Sequence, residues 1–340
     1  LDSRSENFYV NSSNRSNYIF NSKITGIEEA ELIILIGTNP RYEATILNSR
    51  IRKAYLNNNT DIFSIGNVGE LTYPYTEFEN RTKIIYEIVN DKHKLSDLIK
   101  QSQKPIIVLG QSLLKMKSAP YVFEELKKYL LANNKISHQW NALNILSNNA
   151  STVGAYDLGI LSSNNGNNNT LEKIKNNEFD IIFLFGQENL KFKKKNEFII
   201  YIGSHGDRGA EMADIILPSA AYTEQDGYFT NLEGRMQKAY NASYPPGEAK
   251  EDWQIINELA ASIKRKNLYT NKEELINVMK NYLNLNKDKI FELPNYEFIN
   301  EKIYVDDLDY YHSNSIARAS KTMSDCKKSS LNFKKTGTDG

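Results

Sequence analysis

The sequence has 340 residues, of which 40% are hydrophobic and 25% charged, and its formal net charge is zero. This length exceeds one ordinary hydrophobic core, so one large lobe or two packed lobes are expected. The neutral balance offers no basic stripe for nucleic acid, and the longest apolar runs are far below the roughly 18 residues of a transmembrane helix.

Strand and helix signals alternate along the chain. A continuous apolar run at 31–37 predicts a strand buried on both faces, 40–56 has helical spacing, and 61–66 predicts a second strand. Further elements are predicted at 104–110 (strand), 115–132 (helix), 180–186, 197–203 and 213–218 (strands). This order predicts an α/β fold of doubly wound, mostly parallel sheets with flanking helices, in which ligands bind at strand ends.

The middle and the end of the chain are less regular. A stretch at 134–178 is rich in asparagine, and we place the boundary between two lobes there. Trp253, Ile256 and Ile263 predict one more amphipathic helix. Beyond about 267 no clear strand signal remains, so we expect short helices that pack on the domain or on a neighbour.

Cysteine and histidine usage limits the metal chemistry of this chain. Cys326 is the sole cysteine, so the chain lacks the roughly four thiolates that an iron–sulfur cluster needs. The histidines are scattered rather than paired at the spacing of zinc ligands, and one segment places His205, Asp207 and Glu211 close together. That segment is either a metal site or a polar loop whose glycines set its turns, and we favour the loop.

Two loops have residues suited to a ligand. In the first, 37–41, Asn39 suits a helix N-cap and Pro40 the first helical position, so the segment is either a phosphate-binding helix start or simply a well-capped helix. The second loop, 219–237, has donors and acceptors in Glu224, Asn231, Glu233 and Arg235, with Gly227 and Gly234 between them. Arg235 either contacts an anionic ligand or pairs with Glu224 or Glu233 and closes the loop.

These loops carry a family resemblance. The motif "GTNPR" at 37–41, the motif "DGYFTNLEGR" at 226–235 and the late "SIARASKTMSDC" at 315–326 occur in the order found in the largest peripheral-arm subunit of respiratory complex I. The sequence resembles the carboxy-terminal part of that subunit from about residue 22 to 326. The resemblance implies a first Rossmann-like α/β lobe at 1–140 that is truncated at its start, a second α/β lobe at 141–266, and a helical or irregular tail at 267–340.

That part of the subunit is itself similar to the molybdopterin oxidoreductases, whose corresponding loops touch a pterin dinucleotide. The resemblance implies relic loops of this type at Gly37, Asn39, Pro40, Glu224, Gly227, Asn231, Glu233, Gly234 and Arg235. The complex I subunit that this sequence resembles keeps this fold without molybdenum. We therefore expect no cofactor, metal ion or catalytic residue in this chain. The second loop is then expected to be closed on its own charges.

The resemblance also implies partners and a location. The iron–sulfur clusters are expected on an amino-terminal partner piece, because the cysteine-rich region of the family is missing here. Either the subunit is encoded in two pieces or this sequence omits its first piece. The first residue, Leu1, and an asparagine-rich composition that suits an AT-rich genome favour the split subunit. We expect the chain in complex I at the matrix side of the mitochondrial inner membrane, with no span of its own.

Three functions follow from this interpretation of the sequence. The first is a non-catalytic scaffold domain that supports transfer of electrons from NADH to quinone. The second is an active molybdenum enzyme similar to formate dehydrogenase, which stoichiometric molybdenum would reveal. The third is a nucleotide-binding module, which would have no reason to copurify with flavin and iron–sulfur subunits.

Overall fold

A computed structural model describes residues 9–160, 170–190, 192–285 and 294–336. The chain forms two compact units, each built from three stretches of sequence. Unit 1 comprises Leu1–Asn168, Tyr228–Gln237 and Met279–Asp307, and unit 2 comprises Asn169–Gly227, Lys238–Val278 and Leu308–Gly340. The predicted division at 140 and 266 stays a prediction. The predicted parts include 1–8, 161–169, 191, 286–293 and 337–340, which lie outside the described residues.

Unit 1 contains a five-stranded parallel sheet with the strand order β3-β2-β1-β4-β5. Its strands are β1 (Leu32–Ile36), β2 (Asp61–Ile65), β3 (Thr76–Phe78), β4 (Pro105–Gly110) and β5 (Leu143–Leu146). The strand order reverses between β1 and β4, so the sheet is doubly wound and its switch point lies at the carboxyl ends of these two strands.

Helices and loops cover both faces of this sheet. The helices that begin within Leu1–Asn168 are α1 (Pro40–Glu43), α2 (Thr45–Asn58), α3 (Thr82–Val89), α4 (Lys94–Gln101), α5 (Gln111–Leu114), α6 (Ala119–Ala132) and α7 (Thr152–Asp157). Alternate residues of β1 belong to different cores: Ile34 packs in the cluster that includes α3, α4 and α6, whereas Ile33 packs in the cluster that includes α2. The run at 31–37 is continuously apolar because both faces of β1 are buried.

The predicted elements of this region differ from the structure in a few places. The predicted helix at 40–56 is two helices, because Ala44 leaves helical geometry with φ −153°. The predicted helix at 115–132 begins at Ala119, where Pro120 occupies the first turn that proline tolerates. The short strands β3 and β5 were not predicted.

Unit 2 contains a second parallel sheet of three strands, in the order β6-β7-β8. They are β6 (Ile181–Phe185), β7 (Phe198–Gly203) and β8 (Ile215–Pro218), at the predicted positions. One face packs a small core that includes Leu184 and Tyr201. The other face exposes apolar side chains, among them Ile181, Phe183 and Phe185.

The remaining elements complete the chain. The helices are α8 (Thr170–Lys175), α9 (Arg208–Glu211), α10 (Asp252–Lys264), α11 (Lys272–Leu285), α12 (Ser315–Ala319) and α13 (Lys321–Thr336), and β9 (Gly227–Thr230) pairs with β10 (Met236–Ala239). Two helices of the predicted tail, α11 and α13, have 14 and 16 residues and are longer than expected. Across the described ranges, no helix is both long enough and apolar enough to span a membrane.

Candidate functional site

The first candidate loop follows β1 and starts α1 in the way the sequence predicts. The side chain of Asn39 caps the helix, because its Oδ1 accepts hydrogen bonds from the amides of Arg41 at 3.0 Å and Tyr42 at 3.4 Å. Its Nδ2 donates to the carbonyl oxygen of Val68, and Pro40 occupies the first turn. Of the two interpretations, the structure therefore favours the well-capped helix.

Glu43 lies under this loop and was not among the predicted site residues. Its Oε1 accepts a hydrogen bond from the amide of Asn39 at 2.6 Å, while its buried Oε2 has no hydrogen-bond partner. Burial raises the pKa of the Glu43 carboxyl to about 7, although the hydrogen bond from the Asn39 amide opposes the shift. The one sequence signal for this contact is the position of Glu43, four residues after the N-cap Asn39.

Gly37 marks the point where this loop leaves the strand. Its φ of +60° lies in the left-handed region, which glycine adopts without strain. A Cβ atom added there would lie 3.0 Å from Leu113 Cβ and 3.2 Å from Ile303 Cγ2. The carboxyl end of β1 is therefore covered by side chains of unit 1.

The second candidate loop is the turn between β9 and β10. Oδ1 of Asn231 accepts hydrogen bonds from the amides of Glu233 at 3.1 Å and Arg235 at 2.8 Å, which folds the turn around one side chain. Gly234 has a φ of +81° and lies so close to Arg15 that an added Cβ would be 2.9 Å from Arg15 Nη1. Glycine at 234 is therefore favoured by its left-handed conformation, and a side chain there would also displace the Arg15 guanidinium.

The turn is closed, but not by its own charges as the sequence analysis expected. Glu233 Oε1 accepts a hydrogen bond from the amide of Ile24 at 2.6 Å, and Arg15 Nη2 donates to the Gly234 carbonyl oxygen at 2.7 Å. Arg15 is fixed by two hydrogen bonds to Asp157, at 2.7 and 2.8 Å. The side chain of Arg235 is exposed and pairs with no carboxylate among the described residues. The expected pairing of Arg235 was therefore wrong, because a distant arginine takes that role.

Two predicted residues of the second loop lie in unit 2. Glu224 Oε2 accepts a hydrogen bond from the amide of Ala221 at 2.9 Å, which closes a local turn. Gly227 is partly buried at the start of β9. Among the described residues of unit 1, no hydrogen bond joins Gly37, Asn39 or Pro40 to Asn231, Glu233, Gly234 or Arg235.

The segment considered as a metal site is held by an arginine from the end of the chain. Asp207 caps α9 and also accepts a hydrogen bond from Arg318 Nε at 2.6 Å. Arg318 Nη2 lies 3.2 Å from Glu188 Oε2, so one guanidinium joins two carboxylates. This ion-pair set, in which the late motif meets the loop, favours the polar-loop interpretation. No cluster of three metal-ligating residues occurs in the part of the chain that is described.

The first loop does not fit the phosphates of a pterin dinucleotide. Such a group needs free backbone amides at a helix start, but the amides of Arg41, Tyr42 and Asn39 are already bonded within the loop. Ile303 covers Gly37, and an ionised Glu43 would repel an anion. We therefore derive no chemistry through such a group.

Comparison with known proteins gives one family match. The family model described as molybdopterin oxidoreductase matches residues 2–262 of this chain. That range contains both candidate loops and most of the elements of both units.

Individual relatives carry more specific names. The chain is 36% identical to the NADH-ubiquinone oxidoreductase 75 kDa subunit of Reclinomonas americana, over 96% of this chain and 48% of that protein. It is 37% identical to an NADH-quinone oxidoreductase subunit of Rickettsia bellii, over 94% and 47%. It is 38% identical to the mitochondrial NADH-ubiquinone oxidoreductase 78 kDa subunit of Candida albicans, over 74% and 34%. The chain thus spans about half the length of the first two relatives.

Proposed function

The chain belongs to the molybdopterin oxidoreductase family, and from that premise we propose that it is a structural domain of respiratory complex I, in its peripheral arm. The observation that carries this proposal is the similarity over 94–96% of the chain to subunits named for NADH oxidation by ubiquinone or quinone. In this role the chain supports the transfer of electrons from NADH to quinone and carries out no reaction itself.

We also propose that this chain holds no cofactor. The closed first loop supports this, since its amides are bonded within the protein and Ile303 lies on Gly37. The turn of the second loop supports it as well, because Asn231 and Glu233 are used to fold and anchor that turn. The relic interpretation of Gly37, Asn39, Pro40, Glu224, Gly227, Asn231, Glu233, Gly234 and Arg235 remains part of this proposal.

The proposed partners are the other subunits of the peripheral arm. The relatives continue well beyond the region that this chain matches, and we assign the iron–sulfur clusters to a partner piece that corresponds to their other half. The mitochondrial name of one relative supports a location in mitochondria. Within them, the proposal places the chain at the matrix side of the inner membrane as part of complex I.

Native purification from the source organism tests this proposal. An affinity tag at the carboxyl end of the chain should recover flavin and iron–sulfur subunits together, in a fraction that oxidises NADH. Metal analysis of that fraction should find iron without stoichiometric molybdenum. A tagged unrelated matrix protein serves as the control for nonspecific recovery.

Two outcomes would contradict the proposal in different ways. A chain that migrates alone on native gels, with no NADH-oxidising activity in its fraction, would refute the complex I role and favour a separate module. Stoichiometric molybdenum that stays with the chain after the other subunits are dissociated would refute the non-catalytic role and favour the molybdenum enzyme.

A further inference from the structure

A late segment of unit 1, residues 299–306, crosses the carboxyl edge of the five-stranded sheet; we call it the strap. At one end it binds Thr82: the hydroxyl donates to the carbonyl oxygen of Ile299 at 2.8 Å, and the amide donates to the carbonyl oxygen of Glu301 at 3.0 Å. The amide of Glu301 donates back to the Thr82 hydroxyl at 2.9 Å. This end is therefore fixed at the start of α3.

The strap is also fixed beside α5, through Asp306, and before α6, through the side chain of Glu301. The amide of Asp306 donates to Ser112 Oγ at 2.9 Å, and the Asp306 carboxylate pairs with Lys115 at 2.7 Å. Glu301 Oε2 accepts a hydrogen bond from the amide of Ser118 at 2.7 Å. The strap is thus anchored after β3 on one side of the switch point and after β4 on the other.

Between these anchors, Ile303 fills the space over the strand ends. Its side chain is 1% exposed, and its amide donates to the carbonyl oxygen of Asn80 at 2.8 Å. Ile303 Cγ2 would lie 3.2 Å from a Cβ on Gly37 and 3.1 Å from one on Gly66, the residues that follow β1 and β2. Below it the strand ends themselves meet, because a Cβ on Gly110 would collide with the Gly37 carbonyl oxygen.

This position is the one at which doubly wound sheets bind ligands, in the crevice outside the carboxyl ends at the switch point. Glycines there normally let a ligand approach the backbone. In this chain the approach is taken by an aliphatic side chain that the chain itself supplies, and peptide hydrogen bonds hold it on both sides.

We propose that the strap is the permanent occupant of the switch-point crevice, so that unit 1 is closed by its own peptide and admits neither a pterin dinucleotide nor a free nucleotide there. This inference rests on the contacts of residues 299–306 and not on the complex I role. The two can fail separately, because an open crevice would leave copurification with other subunits unaffected.

Protection of a thiol under the strap tests the proposal in the full chain. Cys326 is exposed and is first replaced with Cys326→Ser, and Ser112→Cys then places a single thiol at the buried residue that binds the amide of Asp306. The thiol sulfur is a weak acceptor for that amide, and the strap keeps its contacts with Thr82, Asn80 and Lys115. Ser49→Cys on the exposed side of α2 is the matched control. Maleimide should label position 112 about tenfold or more slowly than position 49, since labelling requires local opening.

Loosening the strap should remove this protection. Asp306→Ala removes the ion pair with Lys115, and Ile303→Gly empties the crevice, so both should speed labelling at position 112 and leave position 49 unchanged. Asp307→Ala, which changes an exposed neighbour, should have no effect. Circular dichroism verifies folding, and if Ile303→Gly does not fold, Asp306→Ala alone decides the test.

Two results would overturn the proposal. Equal labelling of positions 112 and 49 in the chain with an unaltered strap would show that the strap does not reside in the crevice. The second result concerns nucleotides. If ADP or GDP slows labelling at position 112 in a saturable manner, with residues 299–306 unaltered, a nucleotide enters the crevice. Protection that neither nucleotide changes, and that Ile303→Gly or Asp306→Ala reduces, supports the strap as occupant.

Discussion

Arg15 and Arg235 have different roles in the second loop, although only Arg235 belongs to the loop in sequence. Arg15 donates to Gly234 and to both oxygens of Asp157, whereas the Arg235 side chain is exposed. The sequence could not predict this exchange, because Arg15 and Gly234 are 219 residues apart. The charged residue that stabilises this loop could therefore not be identified from the charged residues next to it in the sequence.

Replacing Arg15 should destabilise unit 1, and replacing Arg235 should not. Arg15→Ala leaves Asp157, whose carboxylate is mostly buried, without its bidentate partner, and we expect a loss of about 1–2 kcal/mol in the free energy of unfolding. For Arg235→Ala the expected change is within about 0.5 kcal/mol. Urea unfolding measures both in a Trp253→Phe background, where the fluorescence of Trp140 reports unit 1 alone.

A matched result at Asp157 would strengthen this prediction. Asp157→Asn should cost about as much as Arg15→Ala, and the double variant should cost less than the sum, because the two groups share one interaction. Equal losses for Arg15→Ala and Arg235→Ala would contradict the assigned roles.

Glu43 should make the stability of unit 1 depend on pH. Burial raises its pKa from 4.5 to about 7, so between these values the folded chain binds more protons than the unfolded chain. The contribution of Glu43 to the free energy of unfolding is therefore fully present below about pH 4.5 and falls as the pH rises to about 7. Glu43→Gln should remove this fall and raise stability at pH 8 by up to about 3 kcal/mol.

The measurement compares urea unfolding at pH 5.5 and pH 8, again with Trp140 as the reporter. Glutamine can still accept from the amide of Asn39, which isolates the effect of charge from the effect of shape. Glu77→Gln, at an exposed residue of β3, is the control and should leave the pH dependence unchanged. A Glu43→Gln variant with the pH dependence of the unaltered chain would refute this prediction.

At the scale of the elements, β6 shows how one apolar run can be buried on one face only. The sequence at 181–185 is continuously apolar, as in β1, and predicted a buried strand. In the structure Leu184 is 2% exposed, whereas Phe183 and Phe185 are each 41% exposed. Hydrophobicity identified the strand, but it could not distinguish a covered face from an open one.

Neighbouring substitutions in β6 should therefore have very different costs. Leu184→Ala removes a side chain from the small core of unit 2 and should cost about 2–4 kcal/mol. Phe183→Ala removes an exposed ring and should cost less than about 1 kcal/mol. In a Trp140→Phe background, the fluorescence of Trp253 reports the unfolding of unit 2. Similar costs for the two variants would show that the open face is covered in solution.

The short strands β3 and β5 were among the elements that the sequence analysis missed, as were the helices α3 and α4. β5 contains Asn144, which is fully buried. Its Oδ1 accepts a hydrogen bond from the amide of Ser22, and its Nδ2 donates one to the Ser22 hydroxyl. A buried asparagine is stable only with such partners. The partner lies 122 residues away, so no local pattern could indicate that Asn144 belongs in a strand.

At the scale of the whole molecule, local signals predicted the class of fold and long-range contacts determined the candidate site. Continuous apolar runs and helical spacing identified β1, β2, β4 and the three strands of unit 2. The N-cap at Asn39 was also predicted, because a cap depends on its nearest neighbours. The cover of the crevice was not predicted, since Ile303 lies in a stretch with neither strand nor helix periodicity.

The strap also sets the order in which the protein can finish folding. Its anchors join Thr82 to residues 217 and 219 positions later and Ser112 to a residue 194 positions later. On the ribosome, the sheet of unit 1 is made long before residues 299–306 emerge, so its carboxyl edge stays open while the intervening sequence is translated. We therefore expect the core of unit 1 to be closed only after residues 299–306 have been translated.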